Sequence, residues 1–148
     1  VWYQGEANVH NPSSYVCRFP AMIADWRRHW GDDLAFVYVE VAALAANADP
    51  RGKEFPRLRA AQAIAQQLPN VGKVTAVDLG DPDSPYGPVH SRRKHEVGRR
   101  AALAMRALHY KDPMAVLSYT GPVLAGVGLQ INPVHTSATL SFQPGTAR

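Results

Sequence analysis

The run Leu34-Ala-Phe-Val-Tyr-Val-Glu-Val-Ala42 is almost unbroken in apolar and β-branched residues. A strand exposed on one face alternates apolar and polar side chains, so a continuous run points to a strand covered on both faces, as in a parallel sheet sandwiched by helices. The segments around it agree. Before it, Asn11-Pro12-Ser13-Ser14 carries helix-start signals, and Phe19, Met22, Ile23, Trp26 and Trp30 recur at helical spacing up to a stop at Gly31. Pro20 falls early enough to be expected in a first turn, or to split off a short leading turn.

After the run, Ala43 to Glu54 reads as a polar loop, and Leu58, Ala61, Ala65 and Leu68 form a second amphipathic stripe closed by Pro69-Asn70. Gly72 to Val77 is the next strand, and Val97, Ala101, Ala104 and Leu108 mark a third helix over about Ser91 to Tyr110. Val1 to Tyr3 reads as the end of another buried strand that turns at Gln-Gly-Glu. Strand and helix thus alternate three times, which predicts an α/β fold with a parallel sheet and flanking helices over residues 1–112. From residue 113 to 148 the texture changes. Met114 to Tyr119, Pro122 to Ile131 and Thr136 to Phe142 are short, punctuated by Gly and Pro and free of helical period, so they predict the start of a β-rich appendage.

Composition excludes several classes. No apolar stretch is long enough to cross a bilayer. The net charge of +4 is spread along the 148 residues, without the basic stripe interleaved with aromatics that a nucleic-acid surface needs. Neither a Gly-x-Gly-x-x-Gly nor a Gly-Lys-Ser/Thr phosphate loop is present, which argues against a nucleotide-binding domain. Cys17, the one cysteine, allows no internal disulfide and is expected to be a buried or half-buried small apolar residue. His10, His29, His95, His109 and His135 match no ligand spacing, so neither a metal nor another cofactor is expected.

Chemistry concentrates in two blocks. In a parallel sheet, ligands bind beyond the carboxyl ends of the strands, where both blocks are expected to lie. The first is Trp2-Tyr3-Gln4-Gly5-Glu6-Ala7-Asn8; the second runs from Asp78 to His90 and carries Asp81 and Asp83. His90, between a buried strand and a helix, is the best general base in the chain. Asp78 and Asp81 read as turn or capping residues. Ser91 is a candidate N-cap for the following helix.

Together with Phe19, Met22-Ile23, Asp25-Trp26-Arg27, Lys94 and Gly98, these blocks resemble the sialate O-acetylesterase family, serine esterases of flavodoxin-like (SGNH hydrolase) architecture. The likeness covers roughly residues 1–110. It implies an esterase that removes O-acetyl groups from a sugar, most simply a sialic acid, in a secreted or lysosomal-type compartment. An acetylxylan-type esterase, or a non-catalytic carbohydrate-binding remnant of the same fold, is the alternative. The family's serine sits in a Gly-Gln-Ser-Asn motif that is missing here. The chain is therefore expected to lack an N-terminal part of the same polypeptide and to be inactive alone.

In the family's terms His90 is the base, and Gln4 resembles a side-chain donor of the oxyanion hole. Gly5 permits close backbone approach, and Asn8 braces the loop. Relatives in the broader class carry an aspartate three residues before the base, where this chain has Gly87. The acid is therefore open between Asp83, reached if Ser84 to Pro88 loops out, and Glu6. Arg92 or Arg93 is a weaker candidate for pairing with a sugar carboxylate, against the simpler reading of a solvated arginine.

Overall fold

The computed structural model describes residues 1–44, 52–116, 119–131 and 136–144. Most of the loop expected between Ala43 and Glu54, and part of the Met114 to Tyr119 segment, lie outside the described residues. Strands β1 (Phe36–Glu40) and β2 (Val71–Thr75) pair in parallel, with Phe36 opposite Val71 and Glu40 opposite Thr75. On the other edge of β1, Trp2 forms a parallel bridge with Tyr38. Its N–H donates to the Val37 carbonyl at 2.8 Å, and its carbonyl accepts the Val39 N–H at 2.9 Å. Three consecutive segments of the chain therefore lie side by side, as the alternation of the sequence predicts.

Helices cover both faces. α1 (Pro12–Trp30) and α2 (Glu54–Ala63) pack on one side, where Tyr15, Phe19, Ile23, Leu58 and Ala61 meet Phe36 and Tyr38. α3 (Lys94–Leu108) packs on the other, where Val97, Ala101 and Ala104 meet Val37, Val39 and Val74. Alternate β1 side chains thus enter two separate apolar clusters, which is why the run has no polar face.

Asn11 caps α1 by accepting the Ser14 N–H, and Gly31 ends it with a φ of 104°. Four details depart from the sequence expectation. Pro20 lies inside one continuous helix; Val16, whose carbonyl loses its partner there, is exposed to water. Trp30 is 66 % exposed because the buried row runs Tyr15, Phe19, Ile23, Arg27. Cys17 is exposed: two residues beyond Tyr15, it faces away from that row. Around Met114, where β texture was expected, Pro113–Val116 forms a helical turn, α4, against α3. Asp112 starts that turn by accepting the Met114 N–H through its carboxylate and the Ala115 N–H through its carbonyl.

β3 (Leu124–Ile131) and β4 (Thr136–Phe142) then form an antiparallel hairpin, the β-rich texture expected of the C-terminal stretch.

Candidate active site

At the carboxyl end of the sheet, Tyr3, Glu6, Val89, His90 and Lys94 line one cleft of about 210 Å³. A wider cleft of about 550 Å³, lined by Tyr86, His90, Ser91, Arg92 and Lys94, opens beside it. The two sequence blocks therefore meet at a shared mouth, with His90 on both sides of it. Burial, and secondarily the negative charge of Glu6, push the Tyr3 phenol above its ordinary pKa. The Lys94 ammonium sits 4.5 Å from the centre of the Tyr3 ring.

The path to His90 is a staircase of turns. Ser84 N–H donates to the Asp81 carbonyl, Gly87 N–H to Ser84, and His90 N–H to Gly87, at 3.2, 3.1 and 3.0 Å. Each turn has proline in its second position, Pro82, Pro85 and Pro88, where the fixed φ suits a β-turn. Gly87, shared by two of the turns, takes a φ of 99°. The Ser84 hydroxyl, nearly buried, donates to the His90 carbonyl at 2.6 Å and ties the top of the staircase to its first step.

This geometry decides where Asp83 lies. It is the third residue of the first turn and is exposed, and the 84–88 segment steps forward instead of looping out. Its charge adds to that of Asp81 in favouring the protonated Arg92 guanidinium. Asp81 instead clamps the loop to the start of α3. Its carboxylate accepts Arg92 Nε–H at 2.7 Å, Arg92 Nη2–H at 2.9 Å and the Arg92 backbone N–H at 3.1 Å. Those bonds pull the Asp81 pKa down to about 2. Arg93 donates to the Asp78 carbonyl, and the Asp78 carboxylate forks onto Arg100 at 2.6 and 2.7 Å. Arg92 thus has an intramolecular carboxylate as its partner. Ser91 is buried and accepts the Arg93 N–H; it starts a turn ahead of α3, because the cap position itself is Arg93.

In the first block, Gln4 Nε2 donates to Asn8 Oδ1 at 2.8 Å, and Gln4 Oε1 accepts the Tyr15 hydroxyl at 3.2 Å. Gly5 has a φ of 153°, and a Cβ there would stand 3.1 Å from Val41 and 3.2 Å from Leu58. Two supporting residues were not singled out in the sequence. Gln62, fully buried, donates to the Val39 and Gln4 carbonyls and accepts the Val41 N–H, each at 3.2 Å. It follows Ala61 on the apolar stripe of α2, and a polar residue at such a position was the available signal. Tyr15 follows the helix-start signal, four residues before Phe19 on the same face.

A histidine and a carboxylate thus face one cleft at the end of a parallel sheet, beside a tightly turned loop that carries the Gln4 amide. A sequence profile for "Carbohydrate esterase, sialic acid-specific acetylesterase" matches residues 1–107, and the chain belongs to that family. It is 34 % identical over 137 residues to the human sialate O-acetylesterase and 36 % over 139 residues to the rat one, with 83 % of this chain aligned in each case. It spans only 26 % and 25 % of the length of those two proteins. A crystal structure of a carbohydrate acetylesterase from Xanthomonas citri superposes with a TM-score of 0.77 and 31 % identity. That match covers 97 % of this chain and 32 % of the other.

Proposed function

We propose that this chain is the base-bearing part of a serine carbohydrate esterase that removes O-acetyl groups from sialic acids. Its nucleophile comes from the part of the enzyme outside these 148 residues. The observation that carries the reading is the cleft shared by His90 and Glu6 at the carboxyl end of the sheet, in a chain of this family. His90 takes the proton of the serine hydroxyl as its oxygen attacks the acetyl carbonyl, and returns it to the departing sugar oxygen. Water, deprotonated by the same imidazole, then cleaves the acetyl-enzyme and releases acetate. Gln4 donates to the oxyanion of the tetrahedral intermediate, and Gly5 and Asn8 hold its loop.

Glu6 is favoured over Asp83 as the acid that orients His90, because Glu6 shares its cleft while Asp83 stands outward in the first turn. Arg92 and Arg93 serve as clamps on the Asp78 to His90 loop. The test is hydrolysis of an O-acetylated sialic acid by the full-length enzyme carrying this chain. His90→Ala is expected to lower kcat by on the order of a thousandfold or more. Glu6→Gln is expected to cost far more than Asp83→Asn. Full activity in His90→Ala would end the esterase reading; a large loss in Asp83→Asn with none in Glu6→Gln would move the acid to Asp83.

A further inference from the structure

Two side chains, Tyr15 from outside the first block and Asn8 from within it, bond the Gln4 amide. Trp2 Nε1–H donates to the Tyr15 hydroxyl at 3.2 Å. An indole nitrogen is a donor only, so the hydroxyl is the acceptor there and its single proton points elsewhere. The acceptors within reach are the Gln4 carbonyl and Gln4 Oε1, both at 3.2 Å. At the other end of the same side chain, one Nε2–H is taken by Asn8 Oδ1 at 2.8 Å. Asn8 is itself pinned by its N–H to the Gly5 carbonyl at 2.7 Å. The second Nε2–H of Gln4 has no protein acceptor among the described residues.

We infer that Tyr15 is a positioning residue, which fixes the polarity and rotation of the Gln4 amide so that one N–H remains presented to substrate. The inference rests on the proposed role of Gln4 as an oxyanion donor. Tyr15 suits the task because it cannot swing. It is 5 % exposed, and its ring packs 5.0 Å, centre to centre, from Phe19 within the α1 face. It also acts on the side chain in particular. If its hydroxyl is removed, the Gln4 carbonyl keeps its bond from Gln62, whereas Oε1 loses its one donor among the described residues. A preorganised donor is effective because its orientation is settled before charge develops; an amide free to rotate must be reoriented at the moment of reaction.

The test is a double-mutant cycle in the full-length enzyme, with Tyr15→Phe, Gln4→Ala and the pair assayed on an aryl acetate and on an O-acetylated sugar. Tyr15→Phe keeps the ring and deletes one oxygen. It is expected to lower kcat by roughly tenfold with KM held within about twofold, on both substrates, and to leave the pH profile in place. Gln4→Ala is expected to lose on the order of a hundredfold, and adding Tyr15→Phe to it should cost less than about twofold more. Losses that multiply in the pair, or a Tyr15→Phe effect confined to KM or to melting temperature, overturn the positioning role. Wild-type kcat in Gln4→Ala sinks the reading of Gln4 itself and the inference with it. A full loss in Gln4→Ala with none in Tyr15→Phe removes the inference alone.

Discussion

Replacing Gln62 should unfasten the end of the sheet from α2, and the structure sets the size of the effect. Even-numbered residues of β1 bond toward β2, as in Phe36 N–H to Asn70 and Ala76 N–H to Glu40, while Val37 and Val39 bond toward Trp2. Where the first block turns away at Gly5, that second ladder runs out, and the Gln62 amide takes the Val39 carbonyl and the Val41 N–H instead. In Gln62→Leu those two groups lose their partner in a fully buried place, and the Gln4 carbonyl is left to share the single Tyr15 proton with Gln4 Oε1. Each orphaned group costs about 1–3 kcal/mol, and the apolar side chain recovers part of this, so the net loss is about 2–4 kcal/mol. Urea unfolding at constant m-value measures it. Gln62→Glu adds a sign. Its carboxyl faces two carbonyl oxygens, so the neutral form can donate where the anion repels, and its folded pKa is raised. The penalty is therefore small below the unfolded value near 4.3 and grows as pH rises toward the folded value. A Gln62→Leu midpoint equal to wild type, or a Gln62→Glu deficit identical at pH 4 and pH 7, would refute the account.

Three further outcomes are expected. Asp81 has a folded pKa of about 2 against an ordinary 3.8, so its stabilising clamp is complete above the ordinary value and lost as pH falls through about 2. Asp81→Asn should abolish that acid-dependent part of the urea midpoint, and an unchanged pH dependence between pH 4 and 2 would contradict it. Gly5→Ala should destabilise by about 1–3 kcal/mol, because its Cβ would stand 3.1 Å from Val41 and 3.2 Å from Leu58, tighter than ordinary packing, at a φ of 153° that other residues rarely adopt; thermal melting of the variant checks this. Cys17 should react stoichiometrically with a thiol-directed disulfide reagent in the native state, at a rate that denaturant barely raises.

The parts of the fold that were legible in the sequence are those where one periodicity decides burial. The Leu34 to Ala42 run, the Leu58, Ala61, Ala65 stripe and the Val97, Ala101, Ala104 stripe all lie where their spacing puts them. The misjudged features sit where a second influence competes with the pattern. Trp30 continues the spacing of Trp26 but lies beyond the end of the core, so it stacks edge-on against Trp26 at 5.3 Å and faces solvent. Met114 follows an Asp-Pro pair whose capping bonds begin a helical turn too short to show a period.

The candidate site was legible as two blocks, but the contacts that give each block its shape were not. A loop rich in Asp, Pro and Gly suggests mobility, and a loop-out was one way to bring Asp83 back to His90. Yet the prolines at 82, 85 and 88 are spaced by three, the step at which one β-turn can end where the next begins. That spacing lets the loop form a ladder of turns whose last rung is His90, and the hydroxyl of Ser84 closes it. The stepped arm leaves Asp83 exposed in its first turn, away from the residues that line the cleft. Glu6, held one residue past the Gly5 turn at the end of the sheet, already lines the cleft that the arm delivers His90 to. At the φ of 99° that Gly87 takes, an aspartate would strain the rung.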